Sequence, residues 1–289
     1  MDFNLNNLET DRPSPLTDTR ILDEIQKILA GKIDKDITDQ VYDDFKEECE
    51  DYIFSSDFNI LKGNKAFRRK DIIIGCTQFI DNLYMQGHVQ VLKDDYKYHE
   101  RLGNAFIFDH YTKLQRTIPL IISLPFPSRG DIHPDMDDIL NHCWENHIPV
   151  HIDGAWITCS KNINFDFNHP AIRSFGISLS KGLGLGWNRV GLRWHRDLDV
   201  KDSISITNDF RMNLRVVVKI GLHFIRHFPT DYLWTKHGHR NEKACKTFNL
   251  TPSNSIHIAH MSDGRTVGIS KLINALEEED ARKRSEEGE

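Results

Sequence analysis

Cysteine is scarce and unpatterned in this chain. The five cysteines, Cys49, Cys76, Cys143, Cys159 and Cys245, are odd in number and widely scattered. That excludes a disulfide frame and reads as reduced thiols of an intracellular, cytoplasmic protein. Long apolar runs are missing too. A membrane helix needs about 18 or more consecutive apolar residues, and a stretch such as TIPLIISLPF is too short to span a bilayer. Basic charge is not in excess: 37 Lys and Arg stand against 43 Asp and Glu, for a net charge of -6. A general nucleic-acid binder is therefore not expected. The start, MDFNLNNLETDRP, has no basic region leading into an apolar stretch, so no secretory signal is expected. There is no internal repeat.

What is present suffices for a core. Hydrophobic residues make up 39% of 289 and charged residues 28%, enough for one large domain or a large and a small one. Residues 1–45 read as a polar arm followed by an amphipathic helix around RILDEIQKIL. The middle alternates short apolar strands with helical spacing. Strands are expected at 89–92, 118–124, 148–153, 173–180 and 189–195, with a helix at 136–147. Such alternation implies an α/β fold with a mostly parallel sheet flanked by helices. From Asp209 the period becomes helical. Phe210, Leu214, Val217, Val218, Gly221, Leu222, Ile225 and Phe228 lie on one stripe, which predicts a single long helix. SIHIAH and RTVGIS read as two further strands, and a last helix begins near Ser270 and frays into the charged tail.

In parallel sheets ligands bind at the carboxyl ends of the strands. Asp153 closes the strand IPVHID, and Ser178, Ser180 and Lys181 close RSFGISLSK. GCTQFIDNLYM is a turn opening a helix, whose free N–H groups suit an anion. A lysine, a buried carboxylate and a phosphate cradle with Arg189 beside it are the parts pyridoxal phosphate needs. The lysine forms a Schiff base with the aldehyde, the carboxylate keeps the pyridine nitrogen protonated, and the helix start holds the phosphate.

SLSKGLGLGWNRVGLRW resembles the Schiff-base segment of the fold type I pyridoxal-phosphate-dependent enzymes, specifically the class I/II aminotransferases. The resemblance covers residues 70–200 in family order. It implies Lys181 as the Schiff-base lysine, with Ser178, Ser180 and Arg189 on the phosphate. HIDGAW resembles the segment of the pyridine-nitrogen aspartate, which gives Asp153. Trp156 falls where the family has a tyrosine facing the cofactor's phenolic oxygen. GCTQFIDNL resembles the phosphate-binding turn, with Cys76 and Thr77 as contacts. Tyr96, or else Tyr98, matches the aromatic that stacks on the cofactor ring. Arg265, in DGRTVGIS, matches the arginine that grips the substrate's α-carboxylate. The implied domains are a large cofactor-binding domain at 46–205 and a small C-terminal domain at 206–289. The implied activity is amino-group transfer between an amino acid or amine and a keto acid, in a homodimer.

The chain is short for this family and departs from it at two positions. Phe126 stands where an asparagine is usual, and Trp156 carries no phenol hydroxyl. Both changes affect the tuning of the cofactor and make decarboxylation, elimination or racemisation the alternative chemistry. A degenerate relative that binds without catalysis is the further alternative. GLGLG at 182–186 lacks the G-x-G-x-x-G spacing of a dinucleotide turn. The close pairs His237 and His239, and His257 and His260, lack the surroundings of a zinc site and read as solvated or hydrogen-bonding histidines, so no metal is expected.

Overall fold

The computed structural model describes residues 14–31 and 38–287. The polar arm at 1–13 lies outside the described residues. In chain order the helices are α1 (Thr19–Leu29), α2 (Gln40–Phe54), α3 (Gly75–Gln86), α4 (Tyr98–Leu102), α5 (Met136–Glu145), α6 (Leu179–Gly182), α7 (Ser203–Asp209), α8 (Arg215–His227), α9 (Tyr232–Thr247) and α10 (Ser270–Glu287). The strands are β1 (Ile60–Lys62), β2 (Arg69–Ile73), β3 (Val89–Leu92), β4 (Ala105–Phe108), β5 (Leu120–Ser123), β6 (Val150–Gly154), β7 (Asn164–Asp166), β8 (Ile172–Ser178), β9 (Gly191–His195), β10 (Thr251–Pro252), β11 (Ile258–His260) and β12 (Thr266–Gly268).

Seven strands form the main sheet in the order β2-β9-β8-β6-β5-β3-β4. All run parallel except β9, which is antiparallel to both β2 and β8. Strands β3, β5 and β6 are buried along their whole length, as expected when helices cover both faces of a sheet. On one face Phe167, Phe175 and Trp194 stack at centroid distances of 4.1 and 4.6 Å. The fully buried Arg193 of β9 is neutralised by Asp71 on β2 and by Asp202, the N-cap of α7. A buried guanidinium persists only with such pairing, so this triad fixes the start of α7 to the sheet.

Two readings are corrected. Strand β8 ends at Ser178, and Ser180 and Lys181 lie in the helical turn α6 rather than in the strand. The helix expected from Asp209 is broken. Helix α7 stops at Asp209, Arg211 takes φ 52°, and α8 begins at Arg215. The Tyr42 hydroxyl of α2 donates to the carbonyl oxygens of Arg211 and Asn213. Phe210 and Leu214 are thereby left exposed, while Val218, Leu222 and Phe228 are buried as the stripe requires. At the C-terminal end β11 pairs antiparallel with both β10 and β12, and α10 packs on α9. The histidine pairs are not solvated as pairs. His237 is fully buried against Asp18, and His257 is buried as well. Asp18, His237 and Glu277 come close enough to hold a cation, but the Lys236 ammonium stands there, 2.6 Å from Asp18 and 2.8 Å from Glu277.

Candidate active site

A cavity of about 870 Å³ opens at the carboxyl edge of the main sheet. Its floor follows from the topology. Ser123 ends β5, Asp153 pairs with Ser123 across to β6, Ser178 ends β8, and α3 starts two residues after β2. Ten of the residues singled out in the sequence line it: Cys76, Thr77, Tyr96, Asp153, Trp156, Ser178, Ser180, Lys181, Arg189 and Arg265. They come from segments up to 189 positions apart in sequence (Cys76 to Arg265).

One end of the cavity is an anion cradle. Helix α3 has no side-chain N-cap, so N–H groups of its first turn remain for a ligand. Gly75 has φ +72°, and a Cβ there would lie 2.9 Å from Arg189 Nη2 and 3.2 Å from Ser178 Oγ. Arg189 donates to the Thr77 hydroxyl at 2.8 Å. Its Nε is buried and has no partner among the described residues. Ser178 caps α6, accepting from the Ser180 N–H at 3.1 Å, and its hydroxyl donates to Ser180 Oγ at 2.8 Å. A guanidinium with an unsatisfied buried N–H, two serines, a threonine and a bare helix start fit a phosphate monoester.

The middle of the cavity carries Asp153. Its carboxylate accepts from the Ala155 N–H at 3.0 Å. Burial pushes it up to about 6, against the nearby Cys76 thiol, the Ala155 N–H and the Arg189 charge. A cationic nitrogen placed against it would reverse that shift. Cys76 is a packing residue whose thiol donates to the Gly176 carbonyl at 3.3 Å, and burial pushes it well up, so it stays protonated. Tyr96 lines the cavity, whereas Tyr98 stacks behind it at 5.7 Å and donates to Asp81 at 2.6 Å. That favours Tyr96 over Tyr98 as the stacking ring.

One buried lining residue, Asp95, escaped the sequence. Asp95 is buried and accepts from the Ser123 hydroxyl, from the Ser123 N–H at 3.0 Å and from the Tyr96 N–H at 2.6 Å. Burial, reinforced by the Asp153 charge, pushes it up to about 7 despite those donors. In KDDY it looks like one acid of a solvated turn. Phe126 is buried edge-on against His133 at 4.8 Å and is not among the cavity's lining residues. Arg265 reaches the rim with its side chain 63% exposed, its Nε donating to Asp263 at 2.7 Å.

No family model and no curated protein matches the sequence. Solved structures do match the fold. A tyrosine aminotransferase from Leishmania infantum superposes with a TM-score of 0.61 at 14% identity, over 94% of this chain and 94% of that one. A C-S lyase from Staphylococcus hominis, bound to pyridoxal phosphate and the inhibitor L-cycloserine, gives 0.60 at 10% identity over 96% and 89%. A probable N-succinyldiaminopimelate aminotransferase from Thermus thermophilus gives 0.60 at 11% identity over 93% and 92%. The fold is that of the fold type I pyridoxal-phosphate enzymes. Sequence identity to these structural neighbours is only 10–14%.

Proposed function

We propose that this chain is a pyridoxal-phosphate-dependent enzyme and, within that class, an aminotransferase acting between an amino acid or amine and a keto acid. The observation that carries the reading is the convergence of Lys181, Asp153 and the Gly75–Thr77–Ser178–Arg189 cradle on one cavity. Pyridoxal phosphate, when bound, supplies an aldehyde for an amine to condense with and a ring that draws electrons from the substrate's α-carbon. Arg189, Thr77, Ser178 and Ser180 hold its phosphate. Asp153, in a site dry enough to raise its own proton affinity, holds a proton at the ring nitrogen. Tyr96 covers the ring face. Lys181 bears the reactive amine and moves the proton at the substrate's α-carbon. Arg265 takes the substrate carboxylate once it lets go of Asp263.

A second reading keeps the cofactor and changes the bond that breaks, to decarboxylation, elimination or racemisation. It is favoured by Phe126, whose side chain packs on His133 and offers the cofactor no polar group. The working unit is taken as a cytoplasmic homodimer, with a large domain at 46–205 and a small one at 206–289. No helix among the described residues is long and apolar enough to cross a membrane.

Borohydride reduction of the protein saturated with pyridoxal phosphate, followed by peptide mapping, tests the assignment. The adduct is expected on Lys181 and lost in Lys181→Ala. An adduct on another lysine, or none, overturns it. Product analysis after amino acids are added separates transamination from the second reading.

A further inference from the structure

His260 ends β11 and faces Thr266 of β12 across the hairpin. Gly264, Arg265 and Thr266 of that hairpin line the active-site cavity, as do Pro127 and Ser128 of the loop that follows β5. Ser128 also borders a second cavity, which His260, Arg129 and Asp131 line. His260 touches both the hairpin and the loop, so it joins two walls at the end of the cavity where Arg265 stands.

The hydrogen bonds there fix the proton count. Thr266 Oγ1 donates to the Ser128 carbonyl at 2.7 Å. His260 Nε2 lies 3.0 Å from the Arg129 carbonyl, and its Nδ1 lies 3.3 Å from Thr266 Oγ1. A carbonyl only accepts, so Nε2 carries a proton. A threonine hydroxyl has one proton, and this one is given to Ser128. Oγ1 can then only accept from Nδ1, which must carry a proton too. All three bonds therefore coexist only with His260 as an imidazolium. A neutral His260 keeps its Nε2 proton on Arg129 and turns a bare Nδ1 lone pair toward Oγ1. The hydroxyl then swings to Nδ1, and the Ser128 carbonyl loses its donor.

The rest of the loop is held elsewhere. The Phe126 N–H donates to the Asp131 carbonyl at 2.7 Å and closes its base. Ser255 Oγ donates to the Gly130 carbonyl at 3.3 Å, and a Cβ on Gly130 would fall 2.6 Å from Ser253 Oγ. Between these anchors the Ser128 and Arg129 carbonyls are tied to the hairpin through Thr266 and His260. The charged groups on the elements around His260 are Arg129 and Asp131 on the loop and Asp263 and Arg265 on the hairpin, while β10 sets Thr251 opposite it. Asp263 and Arg265 pair with each other at 2.7 Å. Both hydrogen-bond partners of the imidazole are uncharged.

We propose that His260 is a positioning residue whose protonation aims the Thr266 hydroxyl and thereby holds or releases the Ser128 tip of the loop beside Arg265. Histidine is the side chain that changes charge between about pH 5 and pH 8. The wall is therefore held at the acid end of that range and loosens toward the alkaline end. That this wall encloses the substrate rests on the functional reading above, whereas the switch itself rests on the three hydrogen bonds.

Hydrogen exchange of the cofactor-free full chain, read by mass spectrometry on a peptide spanning residues 126–131, tests this without turnover. Protection is taken relative to the intrinsic exchange rate at each pH. In the wild type it is expected to fall about three- to tenfold between about pH 5 and pH 8, the net effect of one hydrogen bond. Thr266→Val keeps the branched shape but has no proton to give, so its protection should sit at the low value at both ends. His260→Gln can still donate to the Arg129 carbonyl but does not titrate, so its protection should be flat, which a purely packing role would not predict. A flat wild-type profile, a wild-type pH dependence retained in His260→Gln, or full protection in Thr266→Val overturns the inference. Since neither cofactor nor substrate is present, such a result leaves the functional reading standing. A borohydride adduct away from Lys181 removes that reading and leaves the switch.

Discussion

Arg189 and Thr77, 112 positions apart, meet at 2.8 Å over the first turn of α3, and the guanidinium Nε beside that contact is buried without a partner. An arginine in this state is held ready for a second ligand. Removing it should cost cofactor affinity and little else. Arg189→Ala is expected to weaken binding of pyridoxamine phosphate by roughly 30- to 1,000-fold, or about 2–4 kcal/mol for a charge-assisted pair. Arg189→Lys should recover part of this, since a point charge replaces a planar fork. Equilibrium dialysis at fixed salt measures both. An unchanged dissociation constant for Arg189→Ala would remove the phosphate from this end of the cavity.

Gly75 gives the same cradle its shape. A side chain there needs a left-handed backbone and meets Arg189 at 2.9 Å. Gly75→Ala should therefore act twice. Backbone strain should lower stability by about 1 kcal/mol or somewhat more, and displaced Arg189 should weaken pyridoxamine phosphate binding toward the Arg189→Ala value. Adding Gly75→Ala to Arg189→Ala should then cost little further affinity, because both changes damage one interaction. Additive losses in the double variant would separate the two residues.

The cradle, Lys181 and Asp153 were legible because their chemistry is written in short local segments. A strand end followed by a small-residue turn or a capping serine can be read without the fold. Asp95 was not legible, since its burial comes from Ser123, 28 positions away on a neighbouring strand. The break between α7 and α8 was hidden for the same reason: the stripe from Phe210 to Phe228 has helical spacing, but Tyr42 of α2 holds the carbonyls of Arg211 and Asn213 out of it. The direction of β9 does not follow from RVGLRWH either, because an apolar run fixes burial and not polarity.

Asp95 makes a prediction about pH. Its folded value, about 7, lies above the ordinary carboxylate range. The folded state thus binds the Asp95 proton more tightly than the unfolded state does. The associated stability is full below the unfolded value of about 4 and is lost as pH rises through 7. Asp95→Asn has no such proton to lose. Between pH 5 and pH 8 the stability of the variant relative to the wild type should therefore move in the variant's favour, by an amount on the order of a few kcal/mol. Urea unfolding of the cofactor-free proteins at the two pH values measures it. A constant difference would mean that Asp95 is ionised throughout, with the Ser123 and Tyr96 donors outweighing burial.

Arg265 is the assignment with the most to overcome. Its guanidinium is largely exposed and already bonded to Asp263 at 2.7 Å, and an exposed pair of this kind contributes little to stability. That weakness is useful, because a substrate carboxylate can displace Asp263 at small cost. Arginine offers two parallel N–H donors to a carboxylate, which fixes the orientation of the α-carbon as well as its position. Lysine at the same place keeps the charge and loses the fork. Arg265→Lys should therefore leave cofactor absorbance intact, raise KM and lower kcat together, for a loss of about 2–4 kcal/mol in kcat/KM. Asp263→Asn, which weakens the competitor for the guanidinium, should lower KM or leave it unchanged. Steady-state kinetics with whichever amino donor changes the cofactor spectrum decides the point. Should Arg265→Lys turn over like the wild type, the carboxylate grip lies elsewhere on the rim, and amines without an α-carboxylate become the donors to screen first.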